Sequence, residues 1–187
     1  MGHTEIRFTG FGGQGVILAA YVIGKAAAVG EGRHATLNQS FGPEARGSAC
    51  SAQLILDDQP VMYPYVRRTD LLVAMSQDAY RKYIHELRAG GVLIVDDSLV
   101  TPDAGPRTYG APFTRTAEGL GTKIVANMIM VGLLTATTGI VGRDAVRDAI
   151  RTSVPTGTEE LNLAAFARGL ELGAACLSPS GQAVMKG

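Results

Sequence analysis

Short apolar runs of strand length alternate along this chain with longer stretches that have helical periodicity. The runs predict strands at 6–9, 34–38, 49–56, 71–75, 92–95 and 108–113, and a hairpin partner for the third of them at 61–66. The longer stretches predict helices at 16–29, 76–89, 115–120, 123–138 and 143–152, with a last helix from residue 158. This alternation favours an α/β fold with a mostly parallel sheet.

Two local signals mark the middle of the predicted sheet. Leu71–Met75 is continuously apolar, as in a strand buried on both faces, and Ser76 is a predicted helix N-cap. The Gly90-Gly91 pair is predicted to stop that helix before the next parallel strand, which closes a right-handed βαβ unit. The predicted architecture is a three-layer Rossmann-like α/β domain at 1–173, mostly parallel with an inserted antiparallel hairpin, and a flexible tail at 174–187.

Composition and charge narrow the classes of partner. Of 187 residues, 46% are hydrophobic and 18% are charged, which is typical of a globular chain. Lys+Arg and Asp+Glu both number 17, so neither nucleic acid nor a membrane surface is an expected partner. The start of the chain lacks the pattern of a signal peptide. Cys50 and Cys176 lie far apart, so we expect free thiols in a cytoplasmic protein rather than metal or cluster ligands.

One apolar run, at 124–141, is nearly long enough to span a bilayer. It contains Asn127, three threonines and two glycines, which favours a central helix or a helix covered by a partner chain. The stretch at 128–134 and the predicted first helix, whose only charge is Lys25, together indicate more apolar surface than one small domain needs. Large apolar patches usually mark subunit contacts, so we expect obligate partners.

The strongest candidate site is the glycine turn between the first strand and the first helix. Gly10, Gly12 and Gly15 have the G-x-G-x-x-G spacing of dinucleotide-binding folds, and Gly13 and Gln14 complete the turn. Glycines allow a tight turn and close ligand approach, and the N-terminus of the following helix favours an anion. The alternative is that the glycines only permit close packing of the helix on the strand.

Nicotinamide binding has its own requirement at the end of the second strand. An acid is needed there, about 20 residues after the glycines, to bind the ribose hydroxyls. That strand is predicted to end in Asn38-Gln39, and Glu31 precedes it. A nicotinamide-dependent dehydrogenase is therefore disfavoured.

The second candidate site is the loop at 40–48. Loops at the carboxyl ends of parallel strands face the ligand crevice of open α/β sheets. Its Arg46 guanidinium can bind phosphate or carboxylate, and its hydroxyl groups and glycines suit a ligand contact. Glu44 and Arg46 could instead pair with each other or with another subunit, and both alternatives stay open. The candidate residues are Ser40, Gly42, Glu44, Arg46, Gly47 and Ser48.

The remaining polar residues form no recognisable catalytic set. Asp96-Asp97 follows a predicted strand, where acids can hold Mg²⁺, but turn formation or helix capping is the simpler explanation. His3, His34 and His85 are scattered, and no Ser/His/Asp, Cys/His or paired-carboxylate arrangement can be assembled. A phosphate-type turn without catalytic side chains indicates a part of a larger enzyme.

Several separated motifs point to one family. They are GFGGQG at 10–15, SFGPEARGS at 40–48, DLLVAM at 70–75, NMIMVG at 127–132 and VPTGTEELNLAAFARG at 154–169. In this order they resemble the gamma subunit of 2-oxoacid:ferredoxin oxidoreductases, over residues 5–173. The last motif is most similar to the branch that acts on 2-oxoglutarate, although the pyruvate, 2-oxoisovalerate and indolepyruvate enzymes share much of the pattern.

The resemblance implies an activity and a set of partners. Complexes of this family oxidatively decarboxylate a 2-oxoacid, pass the acyl unit to coenzyme A and send electrons to ferredoxin. Thiamine diphosphate, Mg²⁺ and the iron–sulfur clusters are expected on alpha and beta subunits, with a delta subunit as a further candidate. This chain is expected to be a non-catalytic, cytoplasmic gamma subunit that helps to bind coenzyme A and to close the active site.

The resemblance also implies roles for the two candidate sites. Gly12, Gly13 and Gln14 are expected as backbone and amide contacts, and Arg46 as the contact to an anion or a partner subunit. Many family members continue Arg-Gly-Gly where this chain has Ser48, which would be costly if the backbone there requires a positive φ. The alternative function is a free-standing nucleotide- or acyl-CoA-binding module, which would bind its ligand without partners.

Overall fold

Six strands form one mixed sheet with helices on both faces, in a computed structural model that describes residues 2–41 and 49–178. The strands are β1 (Thr4–Phe11), β2 (His34–Phe41), β3 (Ala49–Asp57), β4 (Thr69–Ala74), β5 (Leu87–Asp96) and β6 (Arg107–Ala111). Their order across the sheet is β2-β3-β1-β4-β5-β6. Neighbouring strands in the series β1-β4-β5-β6 are parallel. Strand β3 runs antiparallel to both of its neighbours, β1 and β2. The predicted α/β fold with a mostly parallel sheet is confirmed.

The antiparallel pair consists of β2 and β3, and the hairpin partner predicted at 61–66 is wrong. Pro60 and Pro64 lack the backbone N–H that a strand ladder needs, and the segment forms no strand. Instead, side chains of the sheet form hydrogen bonds with the backbone of the segment at 61–66. Asn38 Nδ2 donates to Pro64 O at 2.5 Å, and Gln53 Oε1 accepts from a backbone N–H of the segment at 2.9 Å.

The helices begin close to their predicted positions. They are α1 (Val16–Lys25), α2 (Gln77–Tyr83), α3 (Phe113–Gly119), α4 (Ala126–Thr138), α5 (Arg143–Arg151) and α6 (Glu159–Leu177). Five π-helical residues (Ala26–Gly30) extend α1, and 3-10 turns follow α2 (Ile84–Glu86) and precede α4 (Lys123–Val125). Helix α6 continues through 174–177, the first part of the predicted tail, and 179–187 lie outside the described residues.

The Gly90-Gly91 pair lies inside β5, so the prediction that it ends a helix is wrong. Helix α2 already ends at Tyr83, and β5 begins at Leu87. The pairing of β4 with β5 shifts its register between Thr69 and Leu71, and Gly90 has a φ of 79°. Glycine tolerates this angle, so the pair accommodates an irregularity in the strand.

Alternate residues of the sheet belong to two separate apolar clusters. Ile6 and Phe8 of β1 pack in the larger cluster, which contains residues of α1, α4, α5 and α6. Leu72 and Leu93 pack with Tyr80 of α2 in the smaller one. Successive side chains of a strand point to opposite faces, so the helices form layers on both sides of the sheet.

Helix α4 accounts for most of the apolar run at 124–141. Its residues from Met128 to Leu134 are buried by the chain itself, and α6 makes the most extensive contact with it. The prediction of a central helix is therefore confirmed, whereas the inference that this stretch presents apolar surface to a partner is wrong. Helix α1 keeps Tyr21 exposed. Across 2–41 and 49–178, no helix has the length and apolar character needed to cross a membrane.

Candidate functional site

The glycine turn after β1 presents backbone donors at the N-terminus of α1. Gly13 and Gly15 have φ angles of 97° and 71°, which favour glycine. No side chain caps α1, and the described residues supply no hydrogen-bond acceptor for the N–H groups of Gly12 and Gly13. Unpaired N–H groups beside the positive end of a helix dipole form an arrangement that suits an anion.

The glycines of the turn differ in the space that their surroundings leave for a side chain. A Cβ atom on Gly10 would lie 2.6 Å from Gln14 Oε1, and one on Gly15 would lie 2.3 Å from Asn127 Nδ2. A Cβ atom on Gly13 would meet no atom within 4 Å. Gly10 and Gly15 therefore permit close packing, as the alternative interpretation expects, while Gly13 leaves space beside the turn. Ligand binding at the turn stays a prediction.

Gln14 connects the turn to the end of the neighbouring strand. Its Oε1 accepts a hydrogen bond from Phe11 N at 2.7 Å, and its Nε2 donates to Met75 O at 2.8 Å. The backbone N–H of Gln14 also donates to Phe11 O, at 3.2 Å. Both amide atoms are thus engaged within the chain, and the expected amide contact to a ligand stays a prediction.

A crevice of about 490 Å³ opens beside the turn, at the carboxyl ends of β1 and β4. Open α/β sheets bind ligands at this edge, where successive connections leave for opposite faces of the sheet. The wall includes Phe11, Gly13, Gln14, Met75, Leu99 and Ile124. Leu99 and Ile124 are 43% and 75% exposed, so the rim of the crevice includes exposed apolar side chains, next to the charged Asp78 and Lys123.

A second cavity, of about 520 Å³, lies on the other side of the turn. It is lined by Gly12, Gly15, Tyr21, Gln39 and Cys50, among others. Burial raises the pKa of the Cys50 thiol, which keeps it protonated and poorly nucleophilic. The turn is therefore open on two sides.

The second candidate site is described only at its edges. Ser40 belongs to β2, is exposed and pairs with Ser51, so the strand extends further than predicted. The other candidates of this loop lie outside the described residues: Gly42, Glu44, Arg46, Gly47 and Ser48. Because Ala49 pairs with Phe11 across β1 and β3, the chain re-enters the sheet beside the glycine turn.

Asp96 is a capping residue, which agrees with the simpler of its two interpretations. The side chain is fully buried, and its carboxylate accepts four hydrogen bonds. Two come from the N–H and hydroxyl of Ser98 and two from those of Thr114, at 2.5–3.1 Å. Burial and the charge of Asp96 raise the pKa of Asp97. Within the described part of the chain, no three His, Cys, Asp or Glu side chains are grouped to hold a metal ion.

Asn127 has a role at the turn that the sequence did not predict. It is 3% exposed, and its Nδ2 donates to Gly15 O at 3.1 Å. Its Oδ1 is buried without a hydrogen-bond partner among the described residues. The sequence does contain a signal for this role, because Asn127 is a single polar residue at the start of an apolar helix. A buried amide at such a position needs a hydrogen-bond partner.

Comparison with known proteins agrees with this fold. A family model described as pyruvate ferredoxin/flavodoxin oxidoreductase matches residues 5–172. The chain is 47% identical over 173 residues to the 2-oxoglutarate synthase subunit KorC of Methanocaldococcus jannaschii, covering 90% of this chain and 92% of that protein. It is 50% identical over 177 residues to the KorC subunit of Methanothermobacter thermautotrophicus, covering 90% and 94%.

A solved structure has the same fold over nearly the same length. It is the gamma subunit of a keto/oxoacid ferredoxin oxidoreductase from Geobacter sulfurreducens, with a TM-score of 0.85 and 39% sequence identity. The match covers 94% of this chain and 98% of that one. The structural similarity therefore extends over nearly the whole chain.

Proposed function

Because this chain belongs to the pyruvate ferredoxin/flavodoxin oxidoreductase family, we propose that it is the gamma subunit of a 2-oxoglutarate:ferredoxin oxidoreductase. It is a subunit of a 2-oxoacid:ferredoxin oxidoreductase, an enzyme complex with further subunits. The proposed reaction converts 2-oxoglutarate, coenzyme A and oxidised ferredoxin to the acyl-CoA, CO₂ and reduced ferredoxin, or the reverse. The choice of 2-oxoglutarate rests on one observation, the 47% and 50% identity to KorC subunits over most of the chain.

Within the complex, the glycine turn is the proposed contact for coenzyme A. The phosphates of coenzyme A are anionic, and the free N–H groups of Gly12 and Gly13 lie at the uncapped N-terminus of α1. Arg46 is the proposed second contact, since a guanidinium forms paired hydrogen bonds with phosphate. Strand β3, which follows this loop, begins beside the turn, where Ala49 pairs with Phe11, and this supports a shared site.

The redox and thiamine cofactors are proposed to lie on partner subunits. An iron–sulfur cluster needs several thiolates, whereas this chain has two cysteines. Cys50 is buried and Cys176 half-buried, and desolvation raises the pKa of both thiols. These residues do not fit a cluster. What this chain supplies under the proposal is the backbone and side-chain surface at the edge of the sheet.

The exposed apolar side chains at the rim of the crevice are the proposed contact with alpha or beta subunits. Leu99 and Ile124 lie in the crevice wall, and Leu120 is a further exposed apolar residue close to Ile124 in the chain. Burial of such side chains in an interface is favourable, at about 25 cal/mol per Å² of apolar surface. A partner seated there would cover the crevice and close it over bound coenzyme A. The cytoplasmic location stays a prediction.

Purification through an affinity tag on this chain tests the proposed function. We expect alpha- and beta-type subunits with thiamine diphosphate and iron–sulfur clusters to co-purify, and the complex to reduce ferredoxin with 2-oxoglutarate and coenzyme A. Pyruvate, 2-oxoisovalerate or indolepyruvate as the preferred substrate would refute the assignment to 2-oxoglutarate. Recovery of the chain alone, with micromolar binding of coenzyme A or a nucleotide, would instead indicate a free-standing binding module.

The proposed role of Arg46 has a separate test in the same complex. Arg46→Ala should raise the KM for coenzyme A or weaken assembly of the complex, because it removes a guanidinium contact to a phosphate or a partner. Arg143→Ala on the exposed first turn of α5 is the control. If Arg46→Ala leaves both assembly and the KM for coenzyme A as in this control, the proposed role is wrong.

A further inference from the structure

We propose that Gln14 is a positioning residue, which holds the glycine turn in its binding geometry through the backbone of two strands. The proposal rests on the proposed function, in which the turn binds coenzyme A. It assigns Gln14 a role different from direct contact with the ligand. Its side chain makes two hydrogen bonds at the floor of the turn, and these support the positioning role.

The Gln14 amide spans the gap between the ends of β1 and β4. Its Oε1 accepts from Phe11 N at 2.7 Å, and its Nε2 donates to Met75 O at 2.8 Å. Phe11 is the last residue of β1, and Met75 follows the last residue of β4. One side chain thus connects the residue that enters the turn to the neighbouring parallel strand.

The backbone of β1 leaves space for this side chain. A Cβ atom on Gly10 would lie 2.6 Å from Gln14 Oε1, 3.0 Å from Val16 Cγ1 and 3.1 Å from Met75 Cβ. No other residue type fits at Gly10 while the amide keeps both hydrogen bonds. Gly10 and Gln14 therefore act as a pair, in which the glycine makes room and the glutamine makes the connection.

The connection reaches beyond the turn to the opposite wall of the crevice. Ser76 follows Met75 and caps α2, with its Oγ 3.3 Å from Ala79 N. Gln14 consequently links the N-terminus of α1 to the segment from which α2 begins. Gly13, Gln14, Met75 and Ser76 all line the same crevice.

Loss of this connection should weaken ligand binding more than it affects the chemistry. Without the two hydrogen bonds, the turn samples other backbone conformations, and binding must then order it again. The reacting groups are proposed to lie on other subunits. A raised KM for coenzyme A with an unchanged kcat at saturation is the expected signature.

The test compares Gln14 with another glutamine that bonds to backbone. Gln14→Met keeps the length of the side chain without its hydrogen bonds, and Gln14→Asn keeps the amide but shortens its reach. Gln53→Met is the matched control, because Gln53 Oε1 accepts from Val66 N at 2.9 Å outside the crevice wall. In the assembled complex, both Gln14 variants should raise the KM for coenzyme A by about tenfold, which corresponds to about 1.4 kcal/mol. Gln53→Met should leave that KM unchanged.

Hydrogen–deuterium exchange of the assembled complex gives a second readout, which does not depend on activity. The Phe11 amide, which Gln14 protects, should exchange faster in Gln14→Met and at the wild-type rate in Gln53→Met. Equal KM values for the Gln14 variants and the control, or unchanged exchange at 11–15, would overturn the positioning role. If the wild-type complex does not use coenzyme A at all, the proposed function fails, and the exchange result alone decides whether Gln14 positions the turn.

Discussion

Gly132 of α4 and Gly169 of α6 bring the backbones of these two helices into direct contact. A Cβ atom on Gly132 would lie 2.2 Å from Phe166 O and 2.8 Å from Gly169 Cα. A Cβ atom on Gly169 would lie 2.0 Å from Ile129 O. Helix α6 thus covers the central apolar helix at a distance that only glycine allows, and this contact closes the helical layer of the subunit.

Gly132→Ala should therefore destabilise the protein. The new methyl group would meet backbone atoms, which cannot rotate away, and overpacking of this kind costs about 1–3 kcal/mol. Gly119→Ala is the matched control, because Gly119 also lies in a helix but has no atom within 4 Å of its Cβ position. Urea unfolding should show a loss of stability for Gly132→Ala and little change or a small gain for Gly119→Ala. Equal effects of the two substitutions would contradict the packing described.

Asp96 should contribute to stability as a capping residue and not as a metal ligand. Asp96→Asn would place an N–H₂ group against N–H and hydroxyl donors of Ser98 and Thr114, and the loss of a charged acceptor costs about 1.5–3 kcal/mol per bond. Asp97→Asn is the control. It should be neutral or slightly stabilising, because burial and, after it, the charge of Asp96 raise the pKa of Asp97. Mg²⁺ or a chelator should leave the unfolding midpoint unchanged, and a clear shift with Mg²⁺ would refute this role.

His3 should make stability depend on pH near neutrality. Its Nδ1 lies 2.7 Å from Asp57 Oδ2, and this hydrogen bond is the main cause that raises the pKa of His3 above 6.5. A raised pKa means that the folded state favours protonated His3, so the stabilisation is present below pH 6.5 and is lost as pH rises through the raised pKa. The same bond lowers the pKa of Asp57 below 3.8, so its contribution is lost only in stronger acid.

The measurement is urea unfolding of wild type and His3→Gln across about pH 5 to about pH 9. The stability difference between them should be largest at the acid end and should shrink toward the alkaline end. His85→Gln is the control, since no hydrogen bond joins His85 to Asp57 in the described part of the chain. A stability difference that is constant with pH would contradict the proposed protonation of His3.

Local patterns were sufficient to predict most of the sheet and helices. The apolar strands β1, β4 and β5 and the cap at Ser76 follow from residues close together in sequence. Where the prediction failed, a non-local partner decided the outcome. Residues 61–66 are apolar like a strand, but β3 pairs with β1 and β2 instead, and Pro64 lacks the N–H that a strand ladder needs.

The candidate site shows the same limit. The glycine spacing predicted an anion-binding turn, and the positive φ of Gly13 agrees with the geometry that such a turn needs. The partners that shape it are distant in sequence. Gln14 bonds to Met75 and Asn127 bonds to Gly15, contacts that span 61 and 112 residues. No periodicity or motif in one sequence indicates which distant carbonyl a buried amide will meet.

Gly13 is the position at which substitution most sharply tests whether the glycine turn binds coenzyme A for a 2-oxoacid:ferredoxin oxidoreductase. Gly13→Ala and Gly32→Ala both place alanine at a positive φ with open space around it, at a conformational cost of about 1–2 kcal/mol. Gly32 lies just before β2, at the opposite edge of the sheet.

The measurement is the KM for coenzyme A in 2-oxoglutarate-dependent ferredoxin reduction by the assembled complex. We expect a rise of about tenfold or more for Gly13→Ala and the wild-type value for Gly32→Ala. The same KM for both variants would contradict the binding of coenzyme A at the glycine turn.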